Sequence, residues 1–396
     1  MARPAAARAA LGLVLSAILL PAWAQLPTSL GRIVVRNDST IARRGEVIEI
    51  SLASLGPAIK SADLERVHVI DASGKDLLVQ PMDLTGDHRD DAIAFQADVA
   101  AKGTTEYRIT LGEKRAFKPE DFRVYGRFVR ERFDDFAWEN DKVAFRMYGE
   151  ALETWEQEPL TSSTVDAWVK KTPRLVVDRW YLADDYHRDH GEGGDFYSAG
   201  KSRGCGGSGL YAGGRLYTSK NFRRSRVLSR GPIRLLFELD YEAWDVGGVK
   251  VRETKRVSLD AGSNFVKFES LYATQDGAPL AASVQYAAGI KKAKSGAFRI
   301  DVAGGVVRSW ETLDSYAQDG HLGCAIVIDP SRLVATPEAD GNVLLTFRGP
   351  SAYYVGTGWD RSGDFPGVAD FDAYVNTFAK KLAAPLRVEV IGNERQ

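Results

Sequence analysis

The segment Ile233-Arg234-Leu235-Leu236-Phe237-Glu238-Leu239-Asp240-Tyr241 decides the fold class of this chain. Apolar residues occupy every second position from Ile233 to Tyr241, and mostly polar residues lie between them. Because successive side chains of a β-strand point to opposite faces, this pattern predicts a long strand with one packed face and one wet face. Such strands build large antiparallel sheets that stack as a sandwich.

Comparable segments flank this one and are separated by turn residues. They lie at 143–148, 249–257, 265–269, 325–328, 343–347 and 386–390. We therefore expect residues 116–396 to form a large antiparallel β-sandwich of the supersandwich, galactose-mutarotase-like type. Helical periodicity is predicted only near the C-terminus, at 370–382, where Phe371, Tyr374 and Phe378 share one stripe.

Residues 25–115 carry shorter strand signals. Apolar alternation recurs at 33–36, 47–52, 67–70, 93–97 and 106–111. Strands spaced about 8–12 residues apart are typical of small sandwiches, so we expect an immunoglobulin-like β-sandwich and an all-β chain. The charged segment 114–121, which contains Pro119 and shows little periodicity, is predicted to connect the two domains.

The N-terminal residues predict export. Arg3 and Arg8 precede an apolar run at 9–20, and Ala22 and Ala24 satisfy the cleavage rule of secretory signal peptides. We expect residues 1–24 to be a signal peptide and the mature chain to be periplasmic or extracellular. Since no later segment is long and apolar enough to span a bilayer, we expect no membrane insertion after cleavage.

The net charge of the chain bears on the kind of partner that it can bind. The formal net charge of −1 argues against nucleic acid, whose binding requires a basic face. Function must therefore come from a local site. The two cysteines, Cys205 and Cys324, either form a disulfide in an oxidising compartment or pack as small buried residues.

The most unusual segment is 181–207, which is dense in titratable residues and glycine. It contains His187 and His190, two of the five histidines of the chain. Polar, glycine-rich loops commonly carry function, because a rigid scaffold presents them and their backbone can approach a ligand closely.

The first chemical interpretation is β-elimination from a uronic acid. This reaction needs a base with a pKa near neutrality, an acid, and a cation for the substrate carboxylate. The candidates are His187 and His190 for the base, Tyr186 and Tyr197 for the acid, and Arg146 and Arg203 for the cation.

Other interpretations stay open. Glu192 and Asp195 would be the paired carboxylates of a glycoside hydrolase. The histidines, with Asp189, Glu192 or Asp195, would hold a divalent metal; the sequence requires none, and an extended backbone would point positions 187 and 190 to opposite faces. Alternatively, the loop is structural and its polar side chains satisfy backbone donors.

A second cluster lies at 136–149. Trp138-Glu139-Asn140-Asp141 is typical of a turn that leads into a strand on which Arg146 and Tyr148 alternate with apolar residues. Aromatic faces beside hydrogen-bonding groups suit sugar rings, so Trp138 and Tyr148 are candidate substrate-binding residues. Arg146 is the strongest candidate, because an inward-pointing arginine on a strand needs an anion.

Several motifs together resemble a known family. They are Trp138-Glu139-Asn140-Asp141 with Ala144-Phe145-Arg146 and Tyr148-Gly149, then Tyr186-His187-x-Asp189-x-Gly191-Glu192-Gly193-x-Asp195-x-Tyr197, then Gly231-Pro232-Ile233-Arg234. The chain is similar, from about Ile33 to its C-terminus, to exported bacterial proteins that carry a domain-of-unknown-function label. The resemblance implies a glycan context, because such proteins tend to occur among genes for degrading polysaccharides, often uronic-acid-containing ones. It implies no catalytic residue.

The sequence thus predicts a secreted or periplasmic carbohydrate-active protein, a lyase or hydrolase of acidic oligosaccharides. The alternative is a non-catalytic glycan-binding or structural envelope protein in which the same residues line a groove. In both cases the expected partner is an oligosaccharide or polysaccharide.

Overall fold

The computed structural model describes residues 28–156, 160–161, 163–313 and 319–392. The expected signal peptide at 1–24 lies outside this part of the chain. The strands are β1 Thr28–Arg36, β2 Arg43–Ser51, β3 Val67–Ile70, β4 Asp76–Leu77, β5 Val79–Met82, β6 Ala92–Val99, β7 Thr104–Leu111, β8 Val124–Val129, β9 Asp135–Asn140, β10 Ala144–Met147, β11 Asp166–Lys170, β12 Gly193–Gly194, β13 Cys205–Ala212, β14 Arg215–Tyr217, β15 Arg224–Arg230, β16 Arg234–Val246, β17 Val249–Asp260, β18 Phe265–Thr274, β19 Gln285–Lys291, β20 Ala297–Asp301, β21 Val306–Thr312, β22 His321–Ile328, β23 Leu333–Ala335, β24 Glu338–Ala339, β25 Asn342–Phe347, β26 Ala352–Trp359 and β27 Arg387–Gly392.

Helices are few. The α-helices are α1 Val177–Ala183 and α2 Val368–Ala383, and the short 3-10 helices are Leu52–Leu55, Ser61–Arg66, Pro119–Asp121, Arg130–Arg132, Glu150–Thr154 and Pro330–Arg332. The predictions of an all-β chain and of a C-terminal helix are confirmed, but the restriction of helix to the C-terminus is wrong, because Val177–Ala183 is also an α-helix. No helix in the described ranges is long and apolar enough to cross a membrane.

The N-terminal sandwich consists of a five-stranded sheet of order β27-β1-β7-β3-β4 and a three-stranded sheet of order β2-β6-β5. Its core contains Ile33, Val35, Phe95 and Ile109. The strand predicted at 386–390 belongs here rather than in the large sandwich, because β27 pairs antiparallel with β1. Alternation specifies which face of a strand is buried but not which sheet edge the strand completes, so the sequence pattern could not place it.

Three antiparallel sheets form the large sandwich. The first sheet has eight strands in the order β15-β16-β17-β18-β26-β22-β21-β20. It faces two smaller sheets. One has six strands, in the order β14-β13-β19-β25-β23 with β24 paired to β25, and the other has five, in the order β12-β11-β10-β9-β8. Residues of all three sheets share one core. The alternation of residues 233–241 is present in β16, where Leu235, Phe237, Leu239 and Tyr241 belong to this core.

The five-stranded sheet is packed on both faces, and this arrangement positions the candidate site. Phe136, Trp138 and Phe145 point into the large core. Residues one position away along the same strands point to the opposite face, where α1 and Tyr186 cover them. Polar side chains on that second face are therefore buried.

Candidate active site

Arg146 is the centre of a buried charge cluster on the second face of the five-stranded sheet. Its Nε donates to the Asp166 carboxylate at 3.0 Å, and its Nη2 donates to the Asp195 carboxylate at 2.8 Å. Asp135 lies 3.8 Å from Nε. Asp166 is the direct cross-strand partner of Arg146, so strand register alone brings these two charges together. We call Arg146, Asp135, Asp166 and Asp195 the Arg146 cluster.

Asp195 reaches the cluster from a loop that folds back along the edge of β11. The backbone N–H of Asp195 donates to the carbonyl of Tyr186 at 2.8 Å, which closes the loop. Gly193 pairs with Lys170 at a φ of +108°, and a Cβ there would lie 2.0 Å from the carbonyl oxygen of Val169. Only glycine lets the loop approach the strand so closely.

Burial sets the protonation states in this cluster. It raises the pKa of the Asp195 carboxyl; Arg146 opposes the shift, while the nearby Asp166 carboxylate reinforces it. Burial alone would lower the pKa of Arg146, but the Asp195 and Asp166 carboxylates outweigh it, and the pKa lies well above its ordinary value. The cluster therefore pairs a permanently charged guanidinium with a carboxyl that holds its proton more tightly than a free aspartate.

Aromatic side chains enclose the guanidinium. Its carbon lies 5.3 Å from the ring centroid of Tyr148 and 5.5 Å from that of Trp168. Burial raises the pKa of both Tyr148 and Tyr181, so these phenols are neutral. Arg146 Nη1, Asp166 Oδ1 and the Tyr181 hydroxyl are buried and make no hydrogen bond to another atom of the described residues.

His187 connects this cluster to solvent. Its Nδ1 lies 3.0 Å from the carbonyl oxygen of Asp195 and 3.7 Å from the carboxylate of the same residue. The side chain is 38% exposed, whereas that of Asp195 is 2% exposed. Its ring centroid lies 4.7 Å from that of Tyr186, whose hydroxyl accepts a hydrogen bond from Arg132 Nε at 3.1 Å. A base, a phenol and two guanidinium groups thus lie in one neighbourhood.

His190 and Glu192 belong to the same loop but lie outside this neighbourhood. His190 is 65% exposed and contacts the Asp185 carboxylate at 3.1 Å. Glu192 forms an ion pair with Arg179. Asp189 accepts backbone hydrogen bonds from Gly191 and Gly193. The two histidines therefore have different partners, and no group of three or more His, Cys, Asp or Glu suited to a metal ion occurs in the described ranges.

Three other candidates lie inside the large sandwich. Trp138 stacks on Phe145 in the core, at a centroid distance of 5.6 Å. Tyr197 is buried, and burial raises its pKa. Arg203 is also buried and donates to the carbonyl of Ser208 at 3.0 Å; burial lowers its pKa to about 10. The structure brings His187, Tyr186, Asp195, Arg146 and Tyr148 together but separates Tyr197, Arg203 and Trp138 from them.

Cys205 and Cys324 are both buried. Burial raises the pKa of the Cys324 thiol, and its contact with the Cys205 thiol raises it further. The two cysteines are therefore neighbours in the core, and both are free thiols in this structure.

Sequence reasoning missed Asp135, Asp166 and Arg132, which complete the site. The available signal was Asp166-Ala167-Trp168-Val169-Lys170, where two charged residues flank three apolar ones on a strand buried on both faces. A carboxylate at such a position needs a buried cation.

A second buried ion pair fixes α1 over the cluster. Lys170 Nζ donates to Glu139 at 2.7 Å, and both side chains are fully buried. The other oxygen of Glu139 accepts the backbone N–H groups of Val176 and Val177, each at 2.7 Å, next to the N-terminus of α1. Glu139 therefore has a structural role: it attaches the helix that carries Tyr181.

Comparisons with known proteins agree with this architecture. The chain is 32% identical over 384 residues to an uncharacterized protein, P7, of Formosa agariphila, with 90% of this chain and 93% of that protein covered. Among solved structures it resembles an α-mannosidase of Enterococcus faecalis, with a TM-score of 0.50, 12% identity and 92% coverage of this chain. A glycosyl hydrolase family 38 protein from Enterococcus faecalis matches with a TM-score of 0.49, 10% identity and 93% coverage of this chain.

The likeness to the α-mannosidase supports the fold alone. This chain spans 46% and 48% of the two solved chains, less than half of their length. The family comparison covers most of the chain, since a family model matches residues 35–388. The chain therefore belongs to the family described as a domain of unknown function (DUF4861).

Proposed function

We propose that this chain is an exported carbohydrate-active protein, a lyase or hydrolase that acts on acidic, uronic-acid-containing oligosaccharides at the Arg146 cluster. The position of His187 carries the proposal. It is the half-exposed end of a network whose carboxylates are buried, so it is the group that a large substrate reaches first. Perturbed carboxyls beside an accessible base are typical of active sites.

The geometry fits proton abstraction next to a carboxylate. If His187 Nδ1–H donates to the Asp195 carbonyl, Nε2 carries a lone pair and can accept a proton. The electron pair of the broken C–H bond then forms a C=C bond, and the glycosidic C–O bond breaks. The leaving oxygen takes a proton from Tyr186 or from water, and the positive charge of Arg132 and Arg146 stabilises the developing anion.

Hydrolysis remains the second enzymatic reading. It would use the raised pKa of Asp195, which keeps this carboxyl protonated as a general acid. Glu192, the other carboxylate of the predicted pair, is bound to Arg179 at the surface. The paired arrangement therefore has less support than the His187 arrangement.

Burial of Arg146 favours the non-catalytic alternative, a glycan-binding or structural envelope protein. The side chain is 5% exposed, and two carboxylates already hold it. In that case the cluster stabilises the sheet and its loop rather than gripping a substrate.

A substrate screen separates these readings. Purified protein is incubated with pectic, alginate and ulvan oligosaccharides, with and without a chelator. A lyase produces the ultraviolet absorbance of an unsaturated uronide, and a hydrolase produces reducing ends without that absorbance. Folded protein that binds these glycans but yields neither product would exclude an enzyme and leave the binding alternative.

A further inference from the structure

A polar cavity lies at the junction of the N-terminal sandwich, the eight-stranded sheet and α2, and no residue of the Arg146 cluster lines it. Its volume is about 790 Å³. Ligand sites of about 300–1,000 Å³ occur preferentially at such domain junctions. We call it the junction groove.

The floor of the groove is the outer face of the eight-stranded sheet. Ser258 lies between Leu236 and Lys267 on neighbouring strands, and Lys267 lies beside Tyr354. The walls come from other parts of the chain: Arg44 and Val47 of the N-terminal sandwich, and Tyr374, Phe378 and Lys381 of α2. Three units of the fold therefore contribute to one concave surface.

The lining is basic although the chain as a whole has a formal charge of −1. Four acidic side chains line the groove, and the seven basic ones are Arg43, Arg44, Arg123, Arg234, Arg256, Lys267 and Lys381. Asp141 and Glu238, which pair with Arg123 and Arg256, are outside the lining and are only 11% and 9% exposed. Their cations are 42% and 31% exposed, so a ligand in the groove can reach both guanidinium groups although each is ion-paired.

Three partly buried aromatic rings, those of Tyr354, Tyr374 and Phe378, also line the groove and pack against the buried Phe265. Phe378 stacks on Phe265 at a centroid distance of 3.8 Å, and Tyr354 packs edge-on against Phe378 at 5.3 Å. Aromatic faces suit the C–H patches of sugar rings, and guanidinium groups match planar carboxylates bidentately.

We propose that the junction groove binds an anionic oligosaccharide, whose charge is carried by carboxylate or sulfate groups. This site lies on the eight-stranded sheet, whereas His187 lies in the loop beside the five-stranded sheet, so the proposal goes beyond the proposed function and does not depend on chemistry at the Arg146 cluster. The junction groove binds several consecutive sugar units of the glycan through ionic interactions and aromatic stacking.

Calorimetric titration of the full chain tests the proposal. The probes are oligogalacturonides, sulfated oligosaccharides and neutral cello-oligosaccharides of the same length. We expect at least one anionic series to bind, with an affinity that falls as salt rises, and the neutral series to bind at least about tenfold more weakly. The stronger anionic series identifies the charged group.

Matched charge reversals locate the site. Lys267 is 36% exposed and pairs with Glu269, and Lys292, outside the groove, is 43% exposed and pairs with Glu338. Lys267→Glu should weaken anionic binding at least about tenfold, whereas Lys292→Glu should leave it unchanged. Equal affinity of Lys267→Glu and wild type, loss of binding in Lys292→Glu, or equal binding of the neutral series would overturn the proposal.

Discussion

Replacing Arg146 by methionine should cause a large loss of stability. The substitution keeps a long apolar stem but leaves the fully or nearly fully buried carboxyls of Asp135, Asp166 and Asp195 without their guanidinium. Removing one partner of a buried ion pair typically costs about 3–5 kcal/mol. Since whole domains are stable by about 5–15 kcal/mol, the variant should lose a large fraction of its free energy of unfolding.

Arg127 provides the matched control. It also binds two carboxylates, Glu131 and Asp178, but these are about half exposed. Arg127→Met should therefore cost less than about 1 kcal/mol. Urea unfolding at neutral pH, followed by fluorescence and circular dichroism, compares both variants with wild type.

The pH dependence of Arg146→Met adds an independent check. Without the guanidinium, the folded-state pKa of the Asp195 carboxyl rises further, so folding of the variant favours its protonated form. Stability of the variant relative to wild type should therefore fall as pH rises above about 8, where the Asp195 carboxyl of the wild type ionises and that of the variant keeps its proton. If Arg146→Met does not fold, the double variant Arg146→Met/Asp166→Asn should recover part of the loss. A cost for Arg146→Met no larger than that of Arg127→Met would refute the reasoning.

Three further predictions concern other buried groups. Burial lowers the pKa of Lys255 from 10.5 to about 8, so the unfolded state binds more protons than the folded state between these pH values. The stability of the wild type should therefore rise by about 3 kcal/mol relative to Lys255→Met as pH increases from about 8 to 10.5. Parallel curves of stability against pH for the two proteins would contradict this. Glu139→Gln removes the negative charge that accepts hydrogen bonds from the Val176 and Val177 N–H groups, so these amides should exchange their hydrogens with solvent faster. Unchanged protection of the two amides in a hydrogen-exchange measurement would contradict the anchoring role of Glu139. Gly193→Ala should cost about 2–3 kcal/mol because its Cβ meets backbone at 2.0 Å, and a thermal melt like that of wild type would show that the loop can move aside.

Alternation of apolar and polar residues predicted the strands well, because burial of one strand face requires apolar residues at every second position. Leu235, Phe237 and Leu239 pack inward as their spacing indicates. The final strand was assigned to the wrong sheet, because pairing of β27 with β1 joins residues more than 350 positions apart along the chain. Local periodicity contains no information about such a distant partner.

The site was predicted in part. The importance of Arg146 followed from the cost of burying a charge on a strand, but its partners Asp135 and Asp166 come from other strands and depend on register. His187 and His190 look equivalent in the sequence. They differ in the structure because the loop closes between Tyr186 and Asp195, which draws only His187 against the cluster.

The central claim is that His187 acts at the exposed end of the Arg146 cluster. The most direct measurement is kcat/KM of His187→Asn and His190→Asn on one uronic-acid oligosaccharide that the wild type converts, with melting temperatures recorded for both variants. General acid–base groups contribute about 100- to 10,000-fold, so His187→Asn should lose at least about 100-fold while His190→Asn stays close to wild type. Equal activity of the two variants, both folded, would contradict the claim.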